Sequence, residues 1–252
     1  MKRLQVRMPP VTSMVSILLG SGGIATEPRR RTYRELVSAH FSGCEEVVFV
    51  PFASHDHDSY TSRMQDFLGP DGPTLVGIHS LDDPVGALSS MQGVYVGGGN
   101  SFLLVRDLHE MGLVAPIRDA VLGGVPYLGV SAGANVACPT MMTTNDMPIA
   151  LPPSFDSIGV VPFQINPHYH PGKVRFMAGE EIRDHYGESR AQRIAEFHRF
   201  SRTPVLGMWE GSFVTGDGAS GSLTGKATAF WAGEEPAEIP DGSTFDGSLQ
   251  CR

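Results

Sequence analysis

Residues 127–135 read Tyr-Leu-Gly-Val-Ser-Ala-Gly-Ala-Asn. A short apolar run ends in Gly-x-Ser-x-Gly and continues as small, helix-compatible residues. This is the sequence form of a nucleophile elbow: a strand stops, the chain turns sharply, and a helix starts directly behind a serine. The turn leaves no room for side chains two residues either side, the positions held by Gly129 and Gly133. It lifts the Ser131 hydroxyl above the sheet edge and aims backbone N–H groups and a helix N-terminus at the same spot. Covalent catalysis by serine is the first chemistry to look for.

The elbow needs a sheet, and the first half of the chain supplies one. Apolar runs at 14–19, 46–51, 74–79, 93–96 and 126–130 read as strands. Amphipathic segments at 32–41, 60–67, 84–91 and 101–122, the last interrupted near Gly112, read as helices between them. This rhythm predicts an α/β fold with a mostly parallel sheet and helices on both faces. Ligands of such sheets sit at the carboxyl ends of the strands. Gly97-Gly98-Gly99-Asn100 follows one strand and the elbow follows another, so the two are expected to meet at one rim.

The second half is richer in loops and β-structure. Prolines 139, 148, 152 and 153 punctuate residues 138–157. Strands are expected at 164–170, 205–209, 212–215 and 227–231, and a helix with alternating charge at 189–200. With no repeat and no interdomain linker, residues 1–252 are expected to form one catalytic domain. Its ends, 1–13 and 238–252, are expected to be flexible tails.

The formal net charge of −8 and the pI of about 5.5 argue against nucleic-acid and anionic-membrane partners. The one basic run, Arg29–Arg31, reads as a solvated face or a helix start. Cys44, Cys138 and Cys251 have no metal-ligand spacing and read as free thiols of a reducing compartment. The apolar run after Pro9 and Pro10 is too short for a signal peptide, and no stretch approaches a membrane span. A cytoplasmic location is expected.

A serine nucleophile needs a base and a carboxylate to hold that base in its tautomer. Of nine histidines, His168 stands out, at the end of an apolar run and behind the rigid Asn166-Pro167. Asp146 and Glu210 compete for the carboxylate role, and chain order does not decide between them. The Gly97–Asn100 loop can approach a substrate and offer N–H groups to an oxyanion, with Asn100 a substrate-binding candidate that also caps the next helix. Residues 20–25, Gly-Ser-Gly-Gly-Ile-Ala, fit a dinucleotide fingerprint. No acidic residue closes the second strand, and Thr26-Glu27-Pro28 does not directly continue a helix. His168-Tyr169-His170 and His55-Asp56-His57-Asp58 resemble metal-ligand pairs without a further ligand at a recognisable spacing. Neither a cofactor nor a metal is expected.

Together these residues resemble peptidase E, the α-aspartyl dipeptidase family of serine peptidases. The resemblance runs through 96–100, 112–118, 129–148, 155–156, 163–168 and 189–194 and ends near 232–235. Its most specific parts are Ser-Ala-Gly-Ala-Asn, Thr-Thr-Asn-Asp-Met-Pro-Ile and Gln-Ile-Asn-Pro-His. It implies a flavodoxin-like parallel sheet, as in class I glutamine amidotransferases, with serine in place of cysteine. It implies Ser131 as nucleophile, His168 as general base, Glu210 as the third member and Asp146 as a further active-site acid. Asp146 would bind the substrate ammonium or support His168. Arg190 takes the place of the arginine that reads the substrate aspartate, and a guanidinium fork suits that carboxylate.

The expected function is therefore hydrolysis of Asp-X dipeptides through an acyl-enzyme on Ser131, with the oxyanion held near Gly99 and Ala132. The expected partner is a small peptide, acted on by a monomer or homodimer. A cyanophycinase-like or β-aspartyl peptidase and a non-catalytic sensor on the same fold are the alternatives. The chain is longer than the family pattern around 171–187, in a segment bordering the expected pocket.

Overall fold

The computed structural model describes residues 15–88 and 90–251. The expected tail at 1–13 lies outside the described residues. Seven α-helices, one short 3-10 helix (Ile78–Ser80) and fourteen strands follow one another among the described residues. In the first half, β1 (Ile17–Gly20), β2 (Glu46–Val50), β3 (Thr74–Gly77), β4 (Val94–Val96) and β5 (Tyr127–Val130) alternate with α1 (Glu27–His40), α2 (His57–Leu68), α3 (Pro84–Ala87), α4 (Ser101–Glu110) and α5 (Val114–Leu122). These five strands pair in parallel in the order β1-β5-β4-β2-β3. Strands β1, β4 and β5 are buried along their whole length, as strands covered on both faces are.

Alternate residues of these strands feed two different cores. Ile17, Leu19, Val48, Val50 and Val96 pack with Leu104, Leu108, Ile117 and Val121 from α4 and α5. Leu18, Val47, Phe49, Tyr95 and Leu128 pack on the other face with Tyr33 and Val37 from α1 and Leu68 from α2. Period-2 alternation thus builds a helix–sheet–helix sandwich. Helix α1 starts earlier than the sequence suggests. Pro28 lies in its first turn, where a missing N–H costs nothing, and Glu27 faces the positive end of the helix.

The second half adds α6 (Ala132–Val136), β6 (Gln164–Tyr169), β7 (Arg175–Ala178), β8 (Glu181–Asp184), α7 (Arg190–Phe197), β9 (Val205–Trp209), β10 (Phe213–Gly216), β11 (Ser220–Thr224), β12 (Ala227–Phe230), β13 (Ala237–Ile239) and β14 (Thr244–Asp246). Strands β10, β11 and β14 extend the large sheet antiparallel beyond β1, to eight strands. A four-stranded sheet, β13-β12-β9-β6, packs Ile165, Leu206, Met208 and Ala227 into the same core as α4 and α5. Its other face carries α7, with Ile194 against Val205 and Phe230. Residues 171–187 form the hairpin β7–β8, which the sequence reading missed because its strands are solvent-exposed and carry no burial pattern.

The C-terminal segment corrects an expectation. Residues 238–251 are not a free tail. Phe245 and Leu249 are fully buried, Ile239 nearly so, and Phe245 bridges to Cys251. Three apolar anchors suffice to order a segment whose other residues are polar. Phe245→Ala is expected to lower stability by about 3–5 kcal/mol, read by urea denaturation, whereas a detached tail predicts no change.

Candidate active site

The elbow is built as its glycines demand. Ser131 sits between β5 and α6 at φ 55° and ψ −109°, a backbone state a side-chain-bearing residue rarely adopts. A Cβ on Gly133 would lie 2.1 Å from the Val96 carbonyl oxygen, and one on Gly129 would lie 2.3 Å from the Gly133 oxygen. The turn is held by the Ser131 N–H donating to the Gly20 carbonyl at 2.8 Å and the Tyr127 hydroxyl donating to the Gly133 carbonyl at 2.7 Å.

His168 comes from the second sheet. Asn166 pairs with Gly207 and Tyr169 with Trp209, so β6 carries one extra residue there and bulges at Pro167-His168. The bulge gives His168 a φ of 54° and turns its ring toward Ser131. The block after the elbow braces it. Asn145 donates to the Pro167 carbonyl at 2.8 Å, Asn166 to the Thr143 carbonyl at 2.9 Å, and Thr143 and Asn135 both donate to the Ile165 carbonyl.

Ser131 Oγ lies 2.8 Å from His168 Nε2, and His168 Nδ1 lies 2.5 Å from Glu210 Oε2. The carboxylate assigns the imidazole proton to Nδ1, which leaves Nε2 to accept the serine proton. Glu210 follows β9, the parallel neighbour of β6, and that pairing carries it to His168. The imidazole and carboxylate are 39% and 41% exposed, open enough for a substrate to reach the pair.

The glycine loop 97–99 closes against the elbow. A Cβ on Gly98 would fall 3.0 Å from Ser131 Cβ, and one on Gly97 would fall 2.7 Å from the Tyr60 hydroxyl. Tyr60 donates to the Gly98 carbonyl at 2.9 Å, and burial pushes its pKa up to about 12, so the hydroxyl stays a donor. In a trans peptide the Gly99 N–H points opposite to that carbonyl. Among the described residues no protein acceptor takes the N–H of Gly99 or of Ala132.

Asp146 lies elsewhere than at the imidazole. Its Oδ2 accepts from the N–H and the hydroxyl of Ser101, both at 2.7 Å, and from Thr144. Asn100 caps α4 and donates to the Met147 carbonyl, so both residues tie the glycine loop to 144–147. Arg190 opens α7, placed by a capping box between Ser189 and Gln192. Its buried Nη1 has no hydrogen-bond partner among the described residues. Burial first, then Arg193, lowers its pKa, while Glu210 and Asp146 pull it back up. A half-buried guanidinium near two carboxylates but bonded to neither can receive a further anionic group.

Two further participants were missed by the sequence reading. Tyr60 carries no local signal beyond its apolar helix position. The glycines of the 20–25 segment lie against the site: a Cβ on Gly22 would meet the His168 ring at 2.9 Å, and one on Gly23 would meet Glu210 Oε1 at 2.8 Å. Of the other histidine cluster, Asp56 caps α2 by accepting from Ser59 N–H.

The profile of peptidase family S51 matches residues 16–224. The chain is 43% identical over 211 residues to peptidase E of Streptomyces coelicolor, covering 82% of this chain and 83% of that one. It is 46% identical over 184 residues to a probable alpha-aspartyl dipeptidase of Drosophila melanogaster, covering 73% and 74%. Peptidase E of Escherichia coli O1:K1 / APEC is 40% identical over 215 residues, covering 83% and 90%. The fold resembles the crystal structure of a peptidase from an acI-B1 Actinobacterium, with a TM-score of 0.64, 16% identity and 93% and 98% coverage. It also resembles a putative peptidase E protein from Listeria monocytogenes EGD-e, with a TM-score of 0.55, 18% identity and 90% and 98% coverage.

This geometry predicts that a fluorophosphonate labels Ser131, with no labelling of Ser131→Ala. His168→Ala should slow labelling by about 100-fold or more. Tyr60→Phe, which frees the Gly98 carbonyl, should slow it by about 10-fold. Mass spectrometry of the labelled peptide reads all three.

Proposed function

The chain belongs to peptidase family S51, and from that premise we propose that it is a serine dipeptidase that hydrolyses peptides with an N-terminal aspartate. The observation that carries the reading is the hydrogen-bonded chain Ser131–His168–Glu210 beside the unpartnered Arg190. The name of the Drosophila melanogaster relative, a probable alpha-aspartyl dipeptidase, supports the aspartyl dipeptide as substrate.

In the proposed mechanism, Ser131 Oγ attacks the Asp–X carbonyl carbon as its proton passes to His168 Nε2. Glu210 stabilises the imidazolium and holds the ring. The N–H groups of Gly99 and Ala132 receive the oxyanion. His168 then gives its proton to the leaving amine, and an aspartyl ester remains on Ser131. Water attacks the ester, again deprotonated by His168, and releases aspartate.

Arg190 takes the side-chain carboxylate of the substrate. Glu210 occupies His168 Nδ1, so Asp146 is left to receive the substrate ammonium while it anchors α4. No step draws on a cofactor. All the groups come from one chain, so a monomer or a homodimer carries the mechanism equally. The core shared by both sheets runs from Ile17 to Leu249 and supports a single catalytic domain. No described helix is long and apolar enough to cross a membrane. Free thiols at Cys44, Cys138 and Cys251 support a cytoplasmic location.

A panel of Asp-Leu, Glu-Leu, Asn-Leu, β-Asp-Leu and Leu-Asp tests the reading, with Ser131→Ala beside the wild type. Only Asp-Leu should be cleaved, and only by the wild type. Cleavage of β-Asp-Leu alone would move the protein to the β-aspartyl peptidases. No cleavage with an unreactive Ser131 would make it a sensor.

Arg190→Lys keeps the charge but loses the fork. It should lower kcat/KM for Asp-Leu by about 10–100-fold and blunt the preference over Asn-Leu. Glu210→Gln should lower kcat by about 100-fold or more, whereas Asp146→Asn should act chiefly on KM. A silent Glu210→Gln beside a collapsed kcat in Asp146→Asn would reverse the two carboxylates.

A further inference from the structure

Ser21 follows β1 inside the Gly20-Ser21-Gly22-Gly23 loop, a motif that neither a dinucleotide nor the reaction as described above uses. It is fully buried. Its hydroxyl donates to the Met208 carbonyl at 2.9 Å and accepts the His168 N–H at 2.8 Å. Its own N–H donates to the Ser212 carbonyl at 2.9 Å. One small side chain therefore joins the end of the large sheet to β6 and β9 of the second.

The bond to His168 answers a specific need. The β6 bulge removes His168 from the ladder, so its N–H has no strand partner there. A φ of 54° is uncommon for a residue that carries a side chain, and the contacts around His168 hold it there. The neighbouring glycines complete the support, since any side chain at Gly22 or Gly23 would strike the His168 ring or the Glu210 carboxylate.

We infer that Ser21 is a positioning residue for the His168–Glu210 pair and that the 20–23 loop is the floor on which that pair rests. The inference builds on the reading of Ser131 and His168 as nucleophile and base. The Ser21 hydroxyl is buried and bonds to the Met208 carbonyl and the His168 N–H, not to the Ser131 hydroxyl. It acts by holding the backbone that aims the imidazole, and a base displaced by a fraction of an ångström loses rate without losing substrate binding.

The test compares Ser21→Ala, Ser21→Thr and Ser21→Cys with wild type. One readout is the low-field proton resonance of His168 Nδ1–H against Glu210, assigned by its loss in His168→Ala. The others are the fluorophosphonate labelling rate of Ser131 and kcat and KM for Asp-Leu. Ser21→Ala should lower kcat and labelling by about 30-fold with KM within about twofold, and should shift or broaden the resonance. Ser21→Thr, which keeps the hydroxyl, should restore the resonance and most of the rate. Should Ser21→Ala not fold, Ser21→Cys carries the test: a weak sulfur acceptor should reproduce the loss that threonine avoids.

A folded Ser21→Ala or Ser21→Cys with wild-type kcat and an unmoved resonance would overturn the inference and leave the dipeptidase reading intact. Absence of dipeptide cleavage by the wild type, with a resonance that still responds to Ser21, would sink the dipeptidase reading and support the inference.

Discussion

The backbone turn at Ser131 constrains everything around it. A serine held at φ 55° stores strain of about 1–3 kcal/mol, which the surrounding contacts must offset. The offset comes from close packing. Backbone runs directly against backbone where Gly129 meets Gly133 and where Gly133 meets the Val96 carbonyl, and these approaches exclude any side chain. The same compression brings the glycine loop after β4 against Ser131, so the elbow and the candidate oxyanion groups form as one unit.

The second sheet answers this strained point with another. His168 also has a left-handed backbone, at φ 54°, created by one extra residue in β6. The two strained residues face each other across the join between the sheets, and their side chains meet at 2.8 Å. Neither sheet holds the site alone. Ser131 and the glycine loop belong to the large sheet, while His168, Glu210 and, through α7, Arg190 belong to the small one. The shared core of Ile165, Leu206 and Met208 with Leu104 and Ile117 therefore sets the geometry of the pair as much as any polar contact does.

Much of this was legible in the chain. Buried parallel strands are short, nearly continuous apolar runs, so the first five were readable with boundaries close to those observed. Segments that bury few residues were not. Strand β11 is Ser-Gly-Ser-Leu-Thr, in which Leu223 is the only large buried side chain. The 238–251 segment looks like a polar tail because Ile239, Phe245 and Leu249 are widely spaced anchors. The hairpin at 171–187 buries almost nothing, and burial is the signal that sequence patterning reports. The place of the Gly20–Gly23 loop beside His168 was not legible for a different reason. Glycines that make room for a phosphate and glycines that make room for an imidazole look identical in sequence.

The sequence by itself determined the elbow, the alternation that builds the parallel sheet, and the residue types able to act as nucleophile, base and anion receptor. Those are local properties, set by glycine sterics and by the period of apolar residues. Only the tertiary structure decided which carboxylate meets His168. Asp146 is closer in the chain but is held by Ser101 at the start of α4. Glu210 reaches the imidazole because β6 and β9 pair in parallel across the thirty-five residues between them. Pairing of that kind follows from core packing between distant segments, and no local pattern encodes its register.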